Sequence, residues 1–103
     1  GCALGNLVGE LSDQDEQARA SLSAHFATWK QLISAGFRRM QDDGVLVARA
    51  DPDALATGLM AALQGGYLLA QADHDFAPMA TALDMALAHI ETLTSRSTKT
   101  ARR

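Results

Sequence analysis

The side chains that could do chemistry in this sequence are few, and their spacing does not assemble a catalytic or metal site. The run Asp73-His74-Asp75 offers carboxylate and imidazole ligands, but adjacent residues rarely converge on one ion, so we expect a solvated turn. His89 has no carboxylate at a metal-ligand spacing. The sequence also lacks a Ser/His/Asp order, a phosphate-binding glycine loop and a pair of catalytic carboxylates. It therefore predicts a protein that is not an enzyme and that uses no cofactor or metal.

Cys2 is the single cysteine of the sequence, and two interpretations of it stay open. Near the start of a helix its thiolate form is favoured, which would suit a sensor of oxidants or electrophiles. Alternatively, it is a small apolar residue of the core. One cysteine excludes an internal disulfide and a cysteine-based zinc site, and residues 1–9 lack the charged start of a signal peptide. A reducing cytoplasm is therefore the expected compartment.

The elements that position these residues are predicted to be helices. The 103 residues include 20 Ala and 14 Leu but only 3 Val and 2 Ile, so good helix formers greatly outnumber β-branched apolar residues. Apolar residues recur three and four positions apart in four segments, one short and three longer. We therefore expect an all-α protein, an antiparallel bundle of one short and three longer helices.

The first two predicted helices are a short one over residues 3–11 and a long one from Ser12 to about Asp43, with Gly44 as its C-terminal cap. The long helix carries an apolar stripe at steps of three and four residues. The stripe consists of Ala18, Leu22, Phe26, Trp29, Ile33, Phe37 and Met40.

The last two predicted helices also begin at recognisable caps. Asp51 caps a helix that starts with Pro52 and runs to residue 72, and Asp75 caps a last helix over residues 76–93. The 19 residues 54–72 carry no charge, but their glycines and glutamines make them only weakly apolar. We therefore expect a helix buried by protein and no membrane partner.

Charge is distributed unevenly along the chain. The net charge is −3, but residues 94–103 contain four basic residues and no acidic one, so residues 1–93 carry 5 basic and 12 acidic residues, a net charge of −7. Such an acidic body is a poor surface for nucleic acid, whose binding depends on Lys and Arg at phosphates. We expect the segment 94–103 to be a disordered basic tail.

Small residues recur at every fourth position of the apolar helix, at Ala54, Gly58, Ala62, Gly66 and Ala70. Glycine weakens a helix, so three glycines in one helix indicate a compensating contact, such as the close approach of a second helix. That second helix belongs either to a partner subunit or to the same chain, and the spacing alone does not decide between them.

Taken in order, five segments form a pattern of wider occurrence. They are Gly1-Cys2-Ala3-Leu4-Gly5-Asn6-Leu7 ahead of Ser12-Asp13, Phe26 with Trp29, Gly44-Val45-Leu46, Asp51-Pro52-Asp53-Ala54-Leu55-Ala56, and Ala61-Ala62-Leu63-Gln64-Gly65-Gly66-Tyr67-Leu68-Leu69-Ala70. Each segment is mostly Ala, Leu and Gly, so the order and spacing carry the information. Over residues 1–93 they resemble the C-terminal half of a TetR/AcrR-family transcriptional regulator.

The resemblance implies a bacterial one-component repressor. In that family an N-terminal helix-turn-helix domain binds operator DNA, and the C-terminal helices bind a small effector and form a homodimer. Effector binding moves the two DNA-reading heads apart and releases the operator. We therefore expect residues 1–93 to be an effector-binding and dimerisation domain truncated on its N-terminal side, which would reach operator DNA only through the missing part.

The resemblance also gives the candidate residues their roles. The aromatic stripe is either ordinary core or the wall of an effector pocket, in which His25 and Gln64 would orient a small apolar or aromatic ligand. The pocket candidates are Cys2, Asn6, His25, Phe26, Trp29, Ile33, Met60, Gln64 and Tyr67.

The last two helices are expected to pair with their symmetry mates as a dimeric four-helix bundle. The interface candidates are Gly58, Ala62, Gly65, Gly66, Leu69, Ala70, Leu83, Leu87 and Ile90. The alternative is a free-standing helical protein-interaction module. A helix-turn-helix encoded upstream in the reading frame would distinguish the two.

Overall fold

Three helices make up the described part of the chain. The computed structural model describes residues 16–95. Its helices, in chain order, are α1 (Glu16–Asp42), α2 (Pro52–Asp73) and α3 (Ala77–Glu91). Within the described range the predicted all-helical fold is confirmed, with one isolated β-bridge between Leu46 and Thr94. The predicted short helix over 3–11 lies outside the described residues.

Helix α1 ends at the predicted glycine stop. Gly44 has a φ of 78°, a backbone conformation that favours glycine, and its N–H donates to the Gln41 carbonyl at 3.0 Å. The N–H groups of Val45 and Leu46 both donate to the Met40 carbonyl, at 2.9 and 3.1 Å. These bonds satisfy two of the last carbonyls of α1 and turn the chain back towards α2.

The connector between α1 and α2 is also tied to the chain that follows α3. The N–H of Val47 donates to the Leu93 carbonyl at 2.8 Å, and the N–H of Ser95 donates to the Val45 carbonyl at 2.8 Å. The first two residues of the tail predicted over 94–103 are therefore part of the folded structure. The rest of that tail lies outside the described residues.

The start of α2 confirms the predicted cap. The Asp51 carboxylate accepts hydrogen bonds from the N–H groups of Asp53 and Ala54, at 3.0 and 3.2 Å. Pro52 occupies the first helical position, where its missing N–H leaves no bond unmade. Two local interactions therefore determine where the central helix begins.

The turn between α2 and α3 is short. His74 ends α2 in the left-handed conformation, with a φ of 53°, which costs a non-glycine residue roughly 1 kcal/mol. The Asp75 carboxylate accepts from the N–H of Ala77 at 3.0 Å, and Pro78 lies in the first turn of α3. Asp75 thus accepts from the first N–H of α3, but the N-cap position is Phe76, one residue later than predicted.

The hydrophobic core lies where the three helices meet the connector. Its buried residues are Phe37, Leu46, Leu55, Ala56, Ile90 and Leu93. Helix α2 lies between α1 and α3, so it contributes to both helix pairs. Ile33 and Met40 pack against this core while remaining partly exposed. The C-terminal half of the α1 stripe therefore faces the core.

Gly66 is the point of closest approach between α2 and α3. A Cβ atom at this position would lie 2.9 Å from Met79 Cα and 3.2 Å from Ala82 Cβ. Non-bonded carbon atoms prefer separations of about 3.5–4.0 Å, so only glycine allows the helices to come this close.

A buried hydroxyl ties α1 to the start of α2. Ser34 is buried and donates a hydrogen bond to Asp53 Oδ1, which also accepts from the Arg38 guanidinium at 2.8 Å. The hydrogen bond from Ser34 lowers the pKa of Asp53, and the positive charges of Arg38 and Lys30 lower it further. Because water screens the exposed Arg38–Asp53 pair, the bond to the buried hydroxyl is the stronger part of this contact.

We expect Gly66→Ala to destabilise the fold by about 1–3 kcal/mol, because the added methyl group overpacks the α2–α3 contact. Thermal unfolding followed by circular dichroism measures this change as a lower Tm. Gly36→Ala is the matched control, because a Cβ atom there meets nothing within 4 Å. Replacing that helix glycine should raise stability by about 0.5–1 kcal/mol. A Tm of Gly66→Ala at or above the wild-type value would contradict the close approach.

Acid should weaken the contact between α1 and α2. The pKa of Asp53 is lowered in the folded chain, so its ionised form stabilises the fold at neutral pH. That contribution is lost as the pH falls below about 4 and through the lowered pKa. Urea unfolding at stepped pH should show a steeper acid loss for the wild type than for Asp53→Asn, with Ser34→Ala intermediate. Parallel curves of unfolding free energy against pH for the wild type and Asp53→Asn would contradict this explanation.

Candidate functional site

The N-terminal half of α1 forms one wall of an apolar cavity. Leu22, His25, Phe26 and Trp29 line a cavity of about 240 Å³. The rings of Phe26 and Trp29 meet edge to face, with centroids 6.3 Å apart and planes at 84°. Trp29 is 44% exposed, so the predicted stripe faces a cavity here and the core only further along α1. His25 is exposed and is the polar group among these four residues.

A second opening lies between α1 and α2. This cleft, of about 300 Å³, is lined on α1 by Ser23, Phe26, Ala27 and Lys30, and on α2 by Thr57 and Met60. Met60 is buried and Lys30 is half-buried. Because Phe26 lines both openings, it joins the predicted residues His25 and Trp29 to the predicted residue Met60.

The remaining pocket candidates lie elsewhere. Ile33 packs against the hydrophobic core, and Gln64 is half-buried and already has an interaction partner. Tyr67 lines a separate groove of about 380 Å³ at the α2–α3 turn, where its hydroxyl accepts from the Gln71 side-chain amide at 2.9 Å. Cys2 and Asn6 lie outside the described residues. The structure therefore brings together four of the nine pocket candidates.

The polar side chains of the cleft were not among the site residues predicted from the sequence. Ser23, Lys30 and Thr57 look like ordinary surface residues of a helix when each is taken alone. The available signal was that Lys30 follows Phe26 by one helical turn, which places it on the side of α1 that borders the cavity. Thr57 borders the cleft because of how α1 and α2 are aligned. Residue spacing within one helix gives no information about that alignment.

The interface candidates divide into three groups by their exposure. Gly58, Gly65, Leu69 and Leu87 are exposed, with Leu69 at 57% and Leu87 at 53% of their full accessible surface. The segment of α2 that carries the first three has no charged side chain between residues 54 and 72. These four residues leave an apolar surface that is uncharged on α2, while on α3 the exposed Asp84 and Glu91 lie one turn from Leu87.

Gly66 and Ile90, however, are buried within the chain itself. Gly66 lies against the backbone of Met79, and Ile90 belongs to the hydrophobic core. Intrachain packing therefore already covers both residues, and their predicted place in a subunit interface stays a prediction. The other candidates, Ala62, Ala70 and Leu83, are half-buried.

Two features considered from the sequence, a metal-binding cluster and a membrane-spanning helix, are absent from residues 16–95. In that range no group of three or more His, Cys, Asp or Glu side chains could hold a metal ion. Asp73, His74 and Asp75 are all exposed, as expected for a solvated turn. No helix among these residues is both long enough and apolar enough to cross a membrane.

Comparison with known proteins gives three consistent matches. A profile of the family described as "Tetracyclin repressor-like, C-terminal domain" matches residues 1–86. Over 71 residues, 69% of its length, the chain is 37% identical to the transcriptional regulator AcuR of Cereibacter sphaeroides, of which it covers 32%. The crystal structure of a regulatory protein TetR from Rhodobacter sphaeroides matches with a TM-score of 0.77 and 31% identity, over 86% of this chain and 47% of that one.

The chain thus spans about a third of AcuR and about half of the solved regulatory protein. The matched part, the helical fold and the order of the three helices agree with one another. The chain belongs to the TetR family of transcriptional regulators, as a tetracyclin repressor-like C-terminal domain.

Proposed function

We propose that this chain is the effector-binding and dimerisation part of a TetR-like transcriptional repressor. A helix-turn-helix outside the chain would bind operator DNA and release it when a small molecule occupies this domain. The observation that carries the proposal is the aromatic cavity on α1, within a domain of a family of regulators. The chain itself acts without catalysis, in the bacterial cytoplasm.

The cavity supports a small apolar or aromatic effector. Three of its four lining side chains, those of Leu22, Phe26 and Trp29, are apolar, while His25 can offer one hydrogen bond. A volume of about 240 Å³ suits a molecule of one ring or a short chain. The rings of Trp29 and Phe26, which meet edge to face, would then exchange part of their mutual contact for contact with the ligand.

The α2–α3 surface supports a homodimer. Leu69 and Leu87 each leave more than half of their surface exposed to water. Burying one leucine side chain contributes about 1.5–3 kcal/mol to the free energy of association. A Cβ atom added at Gly58 or Gly65 would meet nothing within 4 Å, so a facing helix could approach these glycines closely. A two-fold symmetric arrangement would bury the same residues of both copies.

The dimer is tested by placing a charge on this surface. Leu69→Arg and Leu87→Arg should convert a dimer to a monomer in sedimentation velocity at tens of micromolar, because an unpaired charge cannot be buried at low cost. Leu32→Arg is the matched control, since Leu32 is 69% exposed but lies on α1. A monomeric wild type, or dimers that survive both substitutions, would move the proposed interface or remove it.

The cavity is tested through Trp29, the single tryptophan of the chain. A neutral aromatic probe, benzyl alcohol, should change its emission on titration, and Phe26→Ala should weaken that binding about tenfold, or about 1.4 kcal/mol. Phe76→Ala is the matched control, because Phe76 is 66% exposed on the far side of the α2–α3 turn. Equal affinities for the Phe26 and Phe76 variants would argue against the cavity as the effector site.

A further inference from the structure

We infer that the effector carries one carboxylate, which the half-buried Lys30 receives in the cleft between α1 and α2. The inference rests on the proposed effector-binding function and names the chemical class of the ligand. An aromatic ring or a medium-length chain would lie against Phe26 and Met60, and the acid group would point towards Lys30.

The polar groups of the cleft are not held by direct bonds within residues 16–95. In that range the Lys30 ammonium and the exposed hydroxyls of Ser23 and Thr57 make no hydrogen bond or ion pair with protein atoms. All three border the same opening, beside three apolar side chains. A cation with two hydroxyls next to an apolar wall is the donor set that suits an oxyanion on an apolar body.

The carboxylate of Asp53 lies near the Lys30 ammonium but does not form an ion pair with it. Asp53 lies near enough for the charge of Lys30 to lower its pKa, but it makes its ion pair with Arg38 and its hydrogen bond with Ser34, and among the described residues no ion pair joins it to Lys30. Lys30, Ser34 and Arg38 follow one another at intervals of one helical turn, so Lys30 is the member of this row that extends into the cleft. One positive charge therefore remains available to a ligand.

The number of positive charges in the cleft indicates that a carboxylate would bind there in preference to a phosphate. One available cation and two neutral hydroxyls match a singly charged carboxylate. A phosphate group carries nearly two charges at neutral pH, and the second cation it would require, Arg38, is paired with Asp53. The volume of about 300 Å³ leaves room for a ring or a chain of several carbons behind the acid group.

The inference is tested with three probes that share one apolar body. Hydrocinnamate, its neutral amide and phenylpropylamine are titrated into the chain, with the Met60 methyl and the Trp29 indole N–H followed by NMR. We expect the carboxylate to bind about tenfold more tightly than the amide, because it gains one charge-assisted hydrogen bond. The amine should bind most weakly of the three. Met60 should respond to the carboxylate more than Trp29 does.

Variants of Lys30 separate this inference from the proposed function. Lys30→Met keeps the apolar stem and should abolish the preference for carboxylate over amide, while Lys30→Arg should retain it. Arg39→Met, an exposed cation on the same helix, is the control and should leave the preference intact. If amide and carboxylate bind equally to the wild type, the inference fails but an apolar effector site remains. If no probe binds, both fail.

Discussion

The missing side chain of Gly66 determines the distance between α2 and α3. Because a Cβ atom there would come within 2.9 Å of Met79 Cα, the two helices pack at a separation that only glycine permits. At this separation Met79 and Ala82 of α3 lie against Gly66, and Ile90, further along α3, belongs to the core. Leu69 and Leu87 lie outside these contacts and stay exposed to water. The surface proposed for the dimer is thus what remains after the intrachain contact is made.

The α1–α2 pair differs between its two ends. At one end Ser34 binds Asp53 and Phe37 enters the core, so the helices are held together by a hydrogen bond and by apolar packing. At the other end the cleft and the cavity on either side of Phe26 leave the pair open. In the proposed function, a ligand would enter at the open end without breaking the contacts of the closed end. The same helix pair would then both stabilise the fold and accept a small molecule.

The sequence predicted local features well and inter-helix features less well. The caps at Gly44 and Asp51 depend on neighbouring residues, and the structure confirms them, while the cap predicted at Asp75 lies one residue later, at Phe76. The small-residue stripe stays a prediction as a subunit interface, and within the chain its members differ in how closely they approach α3. Steps of four residues advance about 40° around a helix, so the five members span about 160°. Gly66 lies against the backbone of Met79, whereas Gly58 lines an open groove beside Ala86, and this difference depends on tertiary packing.

The same helix takes part in both proposed functions. Thr57 and Met60 of α2 border the cleft, while Gly65 and Leu69 of α2 belong to the exposed surface. A ligand that favours one placement of α2 relative to α1 would therefore favour one placement of the dimer surface as well. Coupling of this kind is reciprocal, so dimerisation would change the affinity for the ligand by the same factor as the ligand changes dimerisation. Asp53 limits how far α2 can move, because its bonds to Ser34 and Arg38 would have to break before the helices could separate at the closed end.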